Sequence, residues 1–187
     1  MVTRSARERL LEAAARLFYA QGIAATGIDS ITAEAGVARK SLYNNFSSKD
    51  ELMRAYIRAR HDEWLGLYRA RAAHATSPRE RILAVFDAYL DHAEAGYAHG
   101  FRGCGLLNAA AELPTGSAGR EAVRQHKQEV EEILAGQLRE LAHADPGALA
   151  EHLSFILEGA MCRAGLDGES ARLIRARRLA ASLLDGL

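Results

Sequence analysis

Ser5 and Glu8 stand three residues apart, just ahead of Leu10, Ala14, Leu17, Phe18 and Gln21 at helical spacing, and Gly22 follows. This segment combines a capping box, an amphipathic stripe and a left-handed stop, which together specify a helix with both ends marked. The same punctuation recurs along the chain. Ser48 pairs with Glu51, Ser77 precedes Pro78, and "ADPGA" (144–148) and "LDGES" (166–170) each precede a helical pattern. No stretch alternates apolar and polar residues long enough to demand a strand. Composition points the same way: 37 Ala and 24 Leu stand against 18 residues of Val, Ile and Thr together, the residues that supply much of strand preference. The chain is expected to be all-α, with about nine helices.

Net charge is zero overall but unevenly spread. Residues 1–60 carry ten Arg/Lys and six Asp/Glu, a net of +4, and the remaining 127 residues carry −4. Only the first third is therefore suited to face a polyanion. No apolar run approaches the ~18 residues of a membrane span, and the N-terminal pattern is amphipathic rather than secretory. Cys104 and Cys162 are too far apart for a metal motif, and without an export signal a disulfide framework is not expected. The expectation is a cytoplasmic protein with no membrane contact and no cofactor.

The stretch "GVARKSLYNNFSSKDEL" (36–52) holds two of the chain's three lysines. A short helix over 27–35, with Thr26 placed to cap it, ends at Gly36. A second runs from Arg39 to Phe46, with Leu42 and Phe46 one turn apart as its inward face. Two short helices joined by such a turn make a helix-turn-helix candidate. In that motif the second helix buries one face and presents donors to the major groove, while flanking groups hold phosphates. Arg39, Lys40, Ser41, Asn44 and Asn45 supply the donors. Tyr43 and Lys49, with a donor on a long apolar stem, suit phosphate contact.

Residues 4–60 resemble the DNA-binding domain of the tetracycline-repressor (TetR) family of transcriptional regulators. The matching stretches are "LLEAAARLFYAQG", "TGIDSITAEAGV" and "SLYNNFSSKDEL". The resemblance implies that Thr26, Tyr43 and Lys49 clamp phosphates and that Arg39, Lys40, Ser41 and Asn44 lie nearest the bases. This chain departs from the family pattern at Ala38, where Ser or Thr is common, and at Thr32, where Ala is. Residues 1–48 are then the DNA-binding domain, continuing into a connecting helix over 49–70, and 49–187 a ligand-binding and dimerisation domain. The partners implied are double-stranded operator DNA, an unknown small-molecule effector and a second copy of the chain.

The later helices fit that division. Helix 147–166 is apolar on two faces, Leu149, Leu153, Ile156 and Ala160 on one and Phe155, Gly159, Cys162 and Leu166 on the other. Two apolar faces require two partners. The dimer seam is expected at Leu153, Ile156, Gly159, Ala160, Leu173, Ala176, Ala180 and Leu183. Trp64, Tyr68, Phe86, Tyr89, Phe101 and Met161 are candidate pocket residues. Cys104, Asn108 and Glu112, four apart, form a polar stripe on a helix over 103–113 that resembles a stretch in a family subset, some of whose members sense oxidants or electrophiles through cysteine. A helical small-molecule-binding protein or an enzyme, without DNA activity, is the alternative. No nucleophile–base pair or phosphate loop marks an enzyme, and a single Glu-x-x-His, Glu140 with His143, is half of what a di-metal bundle requires. The expected function is a homodimeric repressor released from a palindromic operator by a small molecule or an electrophile or oxidant.

Overall fold

The structure, a computed structural model, describes residues 4–97 and 100–186. Among these are nine α-helices and no strand: α1 (Ala6–Gln21), α2 (Ile28–Ala35), α3 (Arg39–Asn45), α4 (Lys49–Ala72), α5 (Pro78–Ala93), α6 (Gly105–Ala111), α7 (Ala118–Glu140), α8 (Pro146–Asp167) and α9 (Ala171–Asp185). The expected all-α class holds. The chain divides into two compact units. The first takes the chain up to Arg60 and also Gly105–Val123; the second takes His61–Cys104 and the chain from Arg124 onward. The first unit thus recruits α6 and the start of α7 from far along the sequence.

In the first unit α1 begins with the Ser5–Glu8 capping box, both reciprocal bonds present. Its inner face, Leu10, Ala13, Ala14 and Phe18, meets Ile31 and Ala35 of α2, Leu42 and Phe46 at α3, and Leu52, Met53, Tyr56 and Ile57 of α4 in one buried core. Phe18 and Tyr56 meet edge to face at 5.5 Å. Gly36 ends α2 in the left-handed conformation at φ 63°, which glycine adopts without steric cost, and Val37 N–H donates to the Thr32 carbonyl at 3.0 Å.

Capping differs from expectation at two places. Thr26 does not cap α2: the N-cap position is Gly27, with no side-chain bond. At α4, Ser48 Oγ accepts from Glu51 N–H at 3.1 Å, but the Glu51 carboxylate reaches Ser47 rather than Ser48. The Ser47 hydroxyl and amide hold that carboxyl below its usual range.

In the second unit α9 packs on α5 and α8. Ile82, Leu83, Val85, Phe86 and Tyr89 of α5, Leu134 and Leu138 of α7, and Ala150, Leu153, Leu157, Met161 and Ala164 of α8 form the core. Of the residues expected at a dimer seam, Leu153, Leu173, Ala176 and Ala180 are buried within the single chain. They fill the contacts that α8 and α9 make inside it. What α8 leaves outward is Phe155, 63% exposed, and Leu166, 78% exposed, with Gly159 and Cys162 on the same stripe. On α9 the exposed apolar residues are Ile174, Leu179 and Leu183. Ile156 and Ala160 are half-buried.

The segment before α6 lies directly on α8. A Cβ placed on Gly165 would stand 2.5 Å from Gly103 N and 2.7 Å from Gly103 Cα, both backbone atoms that cannot swing aside. Gly165→Ala should therefore cost about 1–3 kcal/mol by overpacking, seen as a lower urea midpoint with an unchanged slope.

Candidate nucleic-acid interface and effector unit

Helix α3 is short and rests on buried Leu42, with Phe46 buried just after it. Its other side carries Arg39, Lys40, Tyr43 and Asn44, all exposed, and Ser41, half-buried. Arg39 Nη1 bonds Asp29 Oδ1 of α2 at 3.1 Å, an ion pair open to solvent on both sides. Such a pair contributes little, so exchanging Asp29 for a base edge costs little. Asn45 differs from expectation. Its Nδ2 turns back to the Ser41 carbonyl at 2.8 Å, so one of its two amide hydrogens is used inside the helix. Ala38 forms no side-chain cap on α3, as its missing hydroxyl requires.

The residues expected to hold phosphate have other tasks in the free chain. Thr26 is fully buried and its hydroxyl donates to the Gly22 carbonyl at 2.6 Å, which pins the α1–α2 turn. Lys49 Nζ donates to the Ile23 carbonyl at 2.5 Å. Tyr43 is 48% exposed and interacts with the neighbouring Arg39.

Glu112 completes that turn. Its two carboxylate oxygens accept from Ile23 N–H at 3.0 Å and Ala24 N–H at 2.7 Å. Both sides of the Ile23–Ala24 peptide are thus fixed, the Ala24 N–H by Glu112 and the Ile23 carbonyl by Lys49. The stripe expected of Cys104, Asn108 and Glu112 does not form one face of a helix, because α6 covers only Gly105–Ala111. Cys104 belongs to the second unit and is buried, whereas Asn108 and Glu112 belong to the first and are exposed. Sequence reasoning read Glu112 as a ligand group. A lone carboxylate at a helix end carries no local sign of a turn 89 residues away.

In the second unit Trp64 stacks on Tyr68 at 5.7 Å and meets Tyr89 and His126 at 5.5 Å each. Phe86, Phe101 and Met161 are buried in the same unit. Polar groups that the sequence did not announce join the rings. Lys127 Nζ donates to Glu158 Oε1 at 2.6 Å and to Tyr89 Oη at 3.1 Å. Burial acts to lower the Lys127 pKa, but Cys104, Tyr89 and Glu158 outweigh it and hold the ammonium well above its usual value. Burial raises the Tyr89 phenol, which stays neutral. Among the described residues no group of three or more His, Cys, Asp or Glu side chains is placed to hold a metal ion, and no helix is long and apolar enough to cross a membrane.

His126 is 3% exposed, and its Nδ1 lies 2.9 Å from His61 Nδ1. Burial, with Lys127 and His61 adding to it, pulls its pKa down to about 3. The folded imidazole therefore stays neutral while the unfolded one binds a proton below its ordinary pKa of ~6.5. Below that pH the unfolded state holds more protons, so stability falls as pH falls, down to about pH 3. Between pH 7 and 5 this group should remove about 2 kcal/mol. Urea titrations at both values should show a smaller loss for His126→Gln than for the parent chain.

Residues 10–56 match the model of the tetR family of bacterial regulatory proteins, and residues 78–180 that of the tetracyclin repressor-like C-terminal domain. The HTH-type transcriptional repressor KstR2 of Mycolicibacterium smegmatis is 34% identical over 90 residues, 48% of this chain and 44% of that protein. The HTH-type transcriptional activator FasR of the same organism is 36% identical over 88 residues, 47% and 40% of the two chains. The matched stretch thus spans less than half the length of either curated relative. Likeness over the whole length comes from SCO4454, a TetR-family transcriptional regulator from Streptomyces coelicolor. Its crystal structure superposes with a TM-score of 0.85 at 32% identity, covering 95% of this chain and 94% of that one. With both regions matched in order and one solved relative aligned nearly end to end, this chain belongs to the tetR family of bacterial regulatory proteins, a family of transcriptional regulators and not of enzymes.

Proposed function

We propose that the chain acts as a homodimer that places two copies of α3 in successive major grooves of a palindromic operator and leaves the DNA when the second unit takes up an effector. Residues 1–48 do the reading; 49–187 carry effector binding and dimerisation, and the protein works in the cytoplasm. The observation that carries this reading is the two-sidedness of α3. Leu42 is fully buried while Arg39, Lys40, Tyr43 and Asn44 stand exposed on the other side. Donors on one face of a helix held rigidly by the other suit base edges and phosphates.

The outward stripe of α8, Phe155, Gly159, Cys162 and Leu166, together with Ile174, Leu179 and Leu183 of α9, supports the dimer. An apolar surface of this kind gains by covering itself with its own copy across a two-fold axis. One curated relative is named a repressor and the other an activator. Repression is the reading adopted, since a dimer seated on an operator excludes other proteins from the same DNA.

A small molecule is the effector class carried forward. An electrophile or oxidant acting on Cys104 is the second reading, opposed by the burial of the thiol.

Selection of bound sequences from random DNA should return a palindrome with half-sites ~34–36 Å apart. On that palindrome Arg39→Ala or Asn44→Ala should each cost about 1–3 kcal/mol and relax specificity at one position. Unchanged operator affinity in both variants would refute the assignment of α3. Phe155→Glu combined with Leu166→Glu alters only side chains exposed in the single chain, so folding should persist. Sedimentation of this variant should show a monomer where the parent shows a dimer; a parent monomer at micromolar concentration discards the dimer.

A further inference from the structure

Among the described residues, two polar atoms in the second unit are buried without a protein partner: Nε1 of Trp64 and Oε2 of Glu158. One is a donor and the other an acceptor, and buried groups of either kind are rarely left unmatched. Neighbouring groups make bonds of their own. Tyr89 Oη already accepts from Lys127 Nζ, His126 Nδ1 faces His61 Nδ1, and Glu158 Oε1 holds Lys127. Tyr89 joins the two sites, touching Trp64 through its ring and Lys127 through its hydroxyl.

We propose that the interior where Trp64 of α4, Tyr89 of α5, His126 and Lys127 of α7 and Glu158 of α8 converge binds an uncharged, planar aromatic molecule, its acceptor bonded to Trp64 Nε1 and its donor to Glu158 Oε2. The proposal rests on the reading that this unit receives an effector, and it specifies the chemical class.

Three features select that class. Trp64 is 5% exposed and lies among three rings, stacked on Tyr68, tilted against Tyr89 and edge to face with His126, an aromatic lining that favours an aromatic partner. Lys127 and Glu158 neutralise each other at 2.6 Å, and His126 carries no charge at neutral pH. A net charge on the ligand would then enter the interior uncompensated, at a high desolvation cost. Finally, the two unmatched atoms differ in kind, so one donor and one acceptor on the ligand satisfy both. A purely apolar molecule would leave both unsatisfied.

Trp64 is the only tryptophan of the chain, so its fluorescence reports occupancy directly. The probe is meta-hydroxyacetophenone, uncharged at pH 7. It is compared with meta-methoxyacetophenone, which lacks the donor, meta-ethylphenol, which lacks the carbonyl acceptor, and meta-hydroxybenzoate, which adds a negative charge. Saturable quenching by the first is expected, with each of the others weaker by about tenfold or more.

Calorimetry on Trp64→Phe should show about a tenfold loss for the probe and little change for meta-ethylphenol, which has no acceptor for the missing N–H. Glu158→Gln serves as the second variant and should narrow the gap between the hydroxyl probe and its methyl ether. Thermal unfolding of each variant shows that it is folded. Equal binding of the charged analogue, no binding of the probe, or indifference to both substitutions overturns the proposal. The wider reading is tested apart from it, by screening small molecules of diverse charge for release of the selected operator. A charged effector that releases DNA equally from the parent and Trp64→Phe would refute this site while leaving the effector reading intact. Failure of every compound to release DNA would remove the effector reading itself.

Discussion

A helix of seven residues has almost no stability of its own in water, because the cost of nucleation is never recovered over two turns. That constraint governs α3, the helix proposed to face DNA. α3 exists because α1 and α2 pack on it and because Leu42, with Phe46 just beyond the helix, is buried in their core. Its direction then depends on the turn that sends the chain from α1 into α2. That turn is held from three sides: Thr26 bonds Gly22, Lys49 bonds the Ile23 carbonyl and Glu112 bonds the Ile23 and Ala24 amides. The polar face of α3 can therefore be almost entirely free for another molecule, since none of its exposed donors is required to keep the helix in place.

The second unit inverts the usual distribution of polarity. An ammonium, a carboxylate and two imidazoles meet near its aromatic interior, while Phe155, Leu166 and Leu179 lie outside. Buried ion pairs contribute weakly to stability once desolvation is counted, and exposed large apolar groups contribute nothing until something covers them. Both features cost a solitary domain something. The two proposed partners, an uncharged aromatic molecule within and a second copy without, would account for both.

Much of the fold was legible because its signals are local. The Ser5–Glu8 box, Pro78 after Ser77 and the stops at Gly22 and Gly36 lie within a turn of the helix ends they mark. Leu42 and Phe46 were legible as an inward face by the same short-range periodicity. The faces of α8 were half legible. Its two apolar stripes can be counted from spacing, but nothing in the spacing says which one the chain itself will cover. The stripe expected between subunits is largely the one that α9 occupies, and the stripe left outward is that of Phe155 and Leu166.

By itself, then, the sequence determined the all-α class, most of the helix limits and the two-sidedness of α3, because periodicity and capping act between residues three or four apart. Only the tertiary structure decided what the polar side chains do. Glu112 could be a ligand group or a turn clamp until α6 was placed beside the Ile23 peptide, and Lys127, Glu158, Trp64 and His126 come together from three helices far apart in sequence. Hydrogen bonds and charge interactions depend on distances in space of a few ångströms, and side chains separated by dozens of residues acquire those distances only when the helices pack.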